Sequence, residues 1–222
     1  MKKTGFTLAE VLITLAIIGV VATLTLPALM TNTAEQQAKT ALKKGINTLT
    51  EAAQMNQAIS GFDYASVNTK SVDASQFVGG QSLFGILEER TQVDHQRSLT
   101  SGGGGTTGNA EVFFRDGSSL IFPADIISTT ASGTAMQEDR LVYGMTAVYD
   151  TNGSKGPNYL SNCSGNAAMA LPAAKATAGD VQHADEDCSV RANRVIKDRF
   201  GVRLRGGFVV PNSPAAKWAY DN

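Results

Sequence analysis

The sequence predicts an α+β fold in which one long N-terminal helix packs on a small antiparallel sheet. Three observations carry that prediction. Residues 6 to 30 are apolar but for one acid, residues 34 to 55 are amphipathic at helical spacing, and from residue 111 onward short β-prone runs are punctuated by Gly, Asp and Asn. Of the 222 residues, about 160 lie beyond the helix, which suits one globular domain.

From Phe6 to Met30 the only charged side chain is Glu10. At about 1.5 Å per residue, a helix of this length crosses a hydrocarbon core of roughly 30 Å. Lys2 and Lys3 stand just before the run and no basic cluster follows it closely. The positive-inside tendency therefore leaves the N-terminus in the cytoplasm and exports the rest. An ordinary secretory signal peptide has a shorter apolar core followed by a small-residue cleavage site, which this long, acid-bearing run does not match. A plain single-pass membrane anchor accounts for the length and the lysines but not for Gly5-Phe6 together with Glu10.

A carboxylate near the end of an apolar span costs somewhat less than the roughly 2.5–3.5 kcal/mol of an Asp at a helix centre, and such a group usually has a partner. Cutting the chain between Gly5 and Phe6 would supply one. The new α-amino group on Phe6 is a cation about one helical turn from Glu10, and within one chain, or better between staggered neighbours, the two charges would neutralise each other in lipid.

The run Lys2-Lys3-Thr4-Gly5 followed by Phe6-Thr7-Leu8-Ala9-Glu10-Val11-Leu12 resembles the class III signal of type IV pilins and type II secretion pseudopilins. The resemblance implies a leader over residues 1–5, cleaved by prepilin peptidase after Gly5, N-methylation of the new terminal Phe6, and a docking role for Glu10. It also implies a transmembrane and assembly helix over 6–30, and an exported pilin-like domain over 31–222 that includes the amphipathic half of the helix. Implied residence is the bacterial inner (cytoplasmic) membrane, then a periplasmic or surface filament. Implied partners are further copies of the chain and other pilin-like subunits, prepilin peptidase, an inner-membrane assembly platform and membrane lipid. Pro27 fits the pattern too, since it removes one backbone donor and is expected to bend or locally melt the helix.

Beyond Met30, Ala34, Ala38, Leu42, Ile46, Leu49, Ala53 and Met55 recur at three- and four-residue spacings, interleaved with Glu35, Lys39, Lys43, Lys44 and Glu51. The helix is expected to run to about Ile59, some 80 Å at about 1.5 Å per residue, with Ser60-Gly61 as its stop. Residues 62–80 read as a loop, Gln81 to Arg90 as a short amphipathic helix, and Ser98 to Asn109, with four consecutive glycines, as another loop. No Lys-Ser/Thr pair or helix follows those glycines, so a phosphate cradle is not indicated. Glu111–Arg115 and Ser118–Phe122, joined at Asp116-Gly117, read as a hairpin with a type I′ turn. Further strands are expected at Leu141–Tyr149 and Val202–Val210.

Nineteen Lys+Arg against 20 Asp+Glu give a formal charge of -1, which argues against a dedicated nucleic-acid surface. The one basic concentration is Arg191, Arg194, Lys197, Arg199, Arg203 and Arg205. It keeps a DNA-uptake (competence) pilin as an alternative to a filament subunit without nucleic-acid contacts, although a solvated face explains it equally well. The chain holds two histidines, His95 and His183, neither in a recognisable catalytic motif, so the sequence reads as non-enzymatic. The two cysteines, Cys163 and Cys188, both lie in the exported half. In an oxidising compartment they form a disulfide whose loop stabilises by roughly 3 kcal/mol in the chain-entropy model; two free thiols are the alternative. A zinc site would need more ligands than His183 adds.

Asp150-Thr-Asn152-Gly-Ser-Lys-Gly-Pro-Asn158, with Lys197-Asp198-Arg-Phe-Gly201 later, is similar to the C-terminal signature of major pseudopilins and related pilin-like subunits. In major pseudopilins that loop binds calcium. Carried over, Asp150 and Asp198 would supply carboxylates and Asn152 and Asn158 amide oxygens to a Ca²⁺ ion, which takes six to eight oxygens. The same residue types are ordinary turn formers. The chain departs from the family here, because a long insert separates Asn158 from Asp198 where the family usually has only a few residues. This insert carries both cysteines and Asp185-Glu186-Asp187. In principle, though not in sequence, it resembles the cysteine-closed variable loop of type IV pilins.

Overall fold

The computed structural model describes residues 5–67, 72–73, 76–77, 83–99, 109–123, 145–156, 158–163, 188–189 and 194–222. The chain divides into two compact units, Met1–Gln37 and Ala38–Asn222. Helix α1, Leu8–Ser60, is 53 residues long, and its stop is the expected one. Gly61 takes φ 79 and donates its N–H to the Gln57 carbonyl at 3.1 Å, a left-handed closing position that a side chain would strain. The expected local melting at Pro27 does not occur, and residues on both sides of it are helical. A proline costs one i to i−4 bond, and the flanking turns keep theirs.

Within the second unit, α1 buries Ala38, Leu42, Ile46, Leu49, Ala52 and Ala53. These belong to one core with Leu120, Phe122, Ala147, Phe200, Val202 and Leu204 from the sheet. Of the apolar positions expected on this face, Ala34 and Met55 are exposed instead. A buried amide, Asn56, donates to the Phe62 carbonyl at 2.8 Å and accepts from Arg90 Nε at 3.2 Å, which satisfies it inside the core.

A two-residue ribbon, β1 (Val72–Asp73) with β2 (Gln76–Phe77), falls in the segment expected to be loop. Helix α2 is Leu83–Arg90, and its Leu83, Phe84, Ile86 and Leu87 join the core. The main sheet is an antiparallel meander of β3 (Val93–Leu99), β4 (Asn109–Phe114), β5 (Ser119–Pro123), β6 (Met145–Asp150), β7 (Arg199–Arg205) and β8 (Phe208–Pro211), in that order. Helix α3, Pro214–Asp221, closes the chain.

The meander departs from expectation in four places. Strand β3 has a polar sequence and pairs only with β4, so it lacks the apolar alternation of a half-buried strand. It is held by the ion pair of Arg97 with the buried Glu111 opposite it, and by His95 stacked on Phe113 at 4.3 Å between ring centroids. The β4–β5 turn is a three-residue loop rather than type I′. Gly117, at φ 88, donates to the Phe114 carbonyl at 3.0 Å, while Asp116 stays out of the left-handed region that type I′ requires at both central positions. The strand expected over Val202–Val210 is two strands, because Gly206-Gly207 turns the chain back between Arg205 and Phe208. Finally, Ser213-Pro214 signals α3: Ser213 Oγ accepts the Ala216 N–H at 3.1 Å and proline occupies the first turn. Residues 81–82 and 141–144 of the expected elements lie outside the described residues.

Candidate functional site

Gly5 and Phe6 precede α1 without regular structure, and Phe6 is 90% exposed. Thr7 caps the helix. Its N–H and hydroxyl both donate to Glu10 Oε2 at 2.8 Å, and its Oγ1 accepts the Glu10 N–H at 3.3 Å. This reciprocal arrangement is a capping box, and Thr7-Leu8-Ala9-Glu10 has the S/T-x-x-E spacing that signals one. Sequence reasoning pairs Glu10 with a cation, the Phe6 amine of its own chain or of a neighbour. The capping box fixes the carboxylate at the helix start through neutral donors from its own chain. Lys2 and Lys3 lie outside the described residues.

From Val11 to Met30 the large apolar side chains of α1 are exposed, Ile13 at 61% and Leu24 at 75% among them. The helix is long and apolar enough to cross a membrane by length and composition. Thr14, Thr23 and Thr25 direct their hydroxyls to the carbonyls of Val11, Val20 and Val21 at 2.9, 2.9 and 3.0 Å. Each hydroxyl is thereby satisfied within the helix, which lipid demands because it supplies no partner.

The acidic loop is built by sheet register. Asp150 ends β6 and pairs with Arg199, the first residue of β7. Arg199 Nε donates to Asp150 Oδ2 at 2.6 Å, and both side chains are buried. Asp150 Oδ1 accepts the N–H groups of Asn152 and Gly153 at 3.1 and 3.0 Å. Asn158, the one described non-glycine residue at positive φ (54), sets its side-chain amide against the carbonyls of Gly153 and Lys155, both at 2.9 Å, and against Asp150 Oδ2 at 3.2 Å. Asp198 Oδ2 accepts the Asn158 N–H at 2.6 Å and its Oδ1 the Tyr159 N–H at 2.9 Å, while its carbonyl accepts the Thr151 N–H at 2.8 Å. Burial pushes the Asp150 carboxyl up to about 6 against the opposing pull of Arg199 and the Asn152 N–H.

The structure thus brings Asp150, Asn152, Asn158 and Asp198 into one loop cluster. The carboxylate oxygens already meet protein donors, and among the described residues no three His, Cys, Asp or Glu side chains converge on one point. Asn152 Oδ1 is a buried acceptor without a partner.

Cys163 and Cys188 are joined in a disulfide with Cα atoms 5.0 Å apart. Arg194 reaches it, donating from Nη1 to the Cys188 carbonyl at 3.1 Å, and lays its guanidinium 3.8 Å from the ring centroid of Trp218. Lys39 Nζ sits 3.9 Å from the centroid of the same ring. Two members of the basic concentration, Arg194 and Arg199, are therefore engaged inside the fold rather than on a solvated face. His183, Asp185-Glu186-Asp187, Arg191 and the four-glycine run lie outside the described residues.

Residues 1–26 match the prokaryotic N-terminal methylation motif, the N-terminal signal of type IV pilins and pseudopilins. No curated protein and no solved structure matches the chain.

Proposed function

We propose that this chain is a structural subunit of a type IV pilus-like or type II secretion pseudopilus filament, cut after Gly5 by prepilin peptidase, methylated on Phe6 and polymerised through α1. The observation that carries this reading is the methylation motif over residues 1–26, set on a helix whose apolar side chains are exposed from Val11 to Met30. Its mechanism is assembly. Before assembly, lipid covers the apolar surface and the positive-inside tendency places the second unit outside the cytoplasmic membrane. During assembly, neighbouring helices of the same kind replace lipid around that surface.

Cleavage turns Phe6 into an α-ammonium group, and both partners of the capping box survive it, because Thr7 and Glu10 belong to the mature chain. Glu10 is then a carboxylate held in place by neutral donors in a medium where an unneutralised charge is costly. The Phe6 ammonium of a staggered neighbour supplies the missing positive charge. Correct axial stagger is thereby the arrangement that neutralises both groups at once, which is how one acid sets the register of an otherwise featureless apolar helix.

Filament yield from cells expressing Glu10→Val tests this. Removing the acid makes membrane insertion easier, so the variant accumulates in the membrane while incorporation into filaments falls sharply. Normal incorporation would remove Glu10 from the assembly mechanism. Of the basic concentration behind the DNA-uptake alternative, Arg194 and Arg199 are engaged by Trp218 and Asp150, while Lys197 and Arg205 are exposed.

A further inference from the structure

We infer that the second unit carries a knob and a hole for contact between copies of this chain: Phe208, at the β7–β8 turn, enters the cleft that α1 forms with β4 and β6 on the next copy. The inference rests on the filament reading above and names the surface by which neighbouring second units meet.

Among the described residues of the second unit, three large apolar side chains are exposed: Met55, Ile59 and Phe208. Phe208 opens β8, the strand at one edge of the sheet, directly after Gly206-Gly207, and is 47% exposed. The turn lies against α1. Val209 N–H donates to Thr50 Oγ1 at 3.0 Å, and a Cβ on Gly207 would stand 3.8 Å from Cγ of Gln54. The aromatic knob therefore belongs to the flank of α1 that carries Thr50 and Gln54.

The hole is on the other flank. A cleft of about 340 Å³ is lined by Gly45, Thr48 and Leu49 of α1, by Phe114 at the end of β4 and by Tyr149 of β6, and its lining is mostly apolar. That volume falls within the range of about 300–1,000 Å³ of ordinary ligand pockets and is ample for one phenyl ring. The charged groups on its wall are already paired, Lys44 with Asp116 at 2.8 Å and Arg90 with Asn56 and Ser60 at 3.2 and 3.0 Å, which selects an apolar occupant over an ionic one. At about 100° per residue, Thr48 stands roughly 160° around α1 from Thr50 and roughly 120° from Gln54. Met55 and Ile59 follow Thr48 at helical spacing and continue its flank. The sheet order agrees, since β8 closes one edge and β4 lies beside the opposite edge strand, β3. With knob and hole on opposite flanks the contact is head-to-tail, so each copy offers an unused knob or hole to a further one, and repetition builds an open filament unless the rotation closes a ring. An aromatic side chain anchored in a partner's cleft is the usual energetic centre of such an interface.

The test uses the full chain in cells that carry the assembly machinery, with Gly207→Cys and Thr48→Cys made singly and together. Gly207→Cys keeps Phe208 in place, and the two native cysteines are already joined to each other. A bifunctional maleimide added to the cells should link the double variant into a ladder of covalent multimers and leave each single variant monomeric, because a head-to-tail contact brings unlike positions together. Phe208→Ser adds a second readout. Filament yield should fall several-fold while the melting temperature of the chain in detergent micelles changes little, since an exposed side chain contributes little to folding. Filaments from the unaltered chain with no ladder from the double variant, or with normal yield from Phe208→Ser, overturn this contact and leave the filament reading standing. A loss of yield matched by a large drop in melting temperature would assign Phe208 to folding and overturn it as well. No filaments from the unaltered chain would remove the filament reading itself, and this contact with it.

Discussion

A Cβ placed on Gly45 would lie 2.2 Å from Cζ of Tyr149 and 2.5 Å from its hydroxyl oxygen. Helix α1 and strand β6 therefore meet across a glycine, and the tyrosine ring fills the space a side chain would take. Gly45→Ala should gain about 1 kcal/mol of helix propensity and lose more than that to overpacking, which typically costs about 1–3 kcal/mol in a filled core. The expected outcome is a lower thermal midpoint. A higher one would mean that the ring yields and the contact is not tight.

The same tyrosine predicts a response to alkali. Burial pushes the Tyr149 hydroxyl up to about 12 and that of Tyr64, which donates to the Leu49 carbonyl at 2.7 Å, further still. A group whose folded pKa is raised by loss of its charged form penalises folding only where the unfolded chain ionises. Stability should hold below an unfolded tyrosine value of about 10 and fall as pH climbs from there through about 12. In a spectrophotometric titration, these two of the five tyrosines should ionise only as the chain unfolds. Ionisation of all five in one ordinary step from a folded protein would contradict the packing.

Trp218 offers a readout for the disulfide, since Arg194 touches both the indole ring and the Cys188 carbonyl. Cys163→Ser combined with Cys188→Ser opens a loop of sequence separation 25, and should cost about 3 kcal/mol in the chain-entropy model. That is roughly 6–12 °C in a domain of this size. Emission from the single tryptophan should change on reduction before any unfolding, as Arg194 leaves the ring. Unchanged emission together with an unchanged melting temperature would disconnect the bridge from α3.

At the helix start, Thr7→Ala removes the capping hydroxyl and keeps the acid. Filament yield should fall, and Thr7→Ser, which retains an oxygen at the same place, should restore it. Equal yields from all three chains would show that holding the Glu10 carboxylate in place has no bearing on assembly.

The elements that could be read from sequence are those fixed by local pattern. The uniform apolar run, the three- and four-residue spacing through Leu49, the Gly61 stop and the β4–β5 hairpin each rest on a periodicity or on a residue with one conformational use. Strand β3 could not be read that way, because its order comes from pairing with β4 and from Arg97 meeting a buried Glu111. Gly206-Gly207 as a turn and Ser213-Pro214 as a helix start are local signals of the same kind. Gly5, Phe6 and Glu10 were legible as a motif. The tie between Asp150 and Arg199 was not, because the two are far apart in sequence and only the register of β6 with β7 brings them face to face.

Processing of the N-terminus tests the central claim most directly. Intact-mass and N-terminal peptide analysis of the protein, extracted from membranes of cells that express the peptidase, should find residues 1–5 absent and one methyl group on the amine of Phe6. An N-terminus that still carries Lys2 to Gly5 in those cells, or an unmodified Phe6 on an otherwise cleaved chain, would contradict the account.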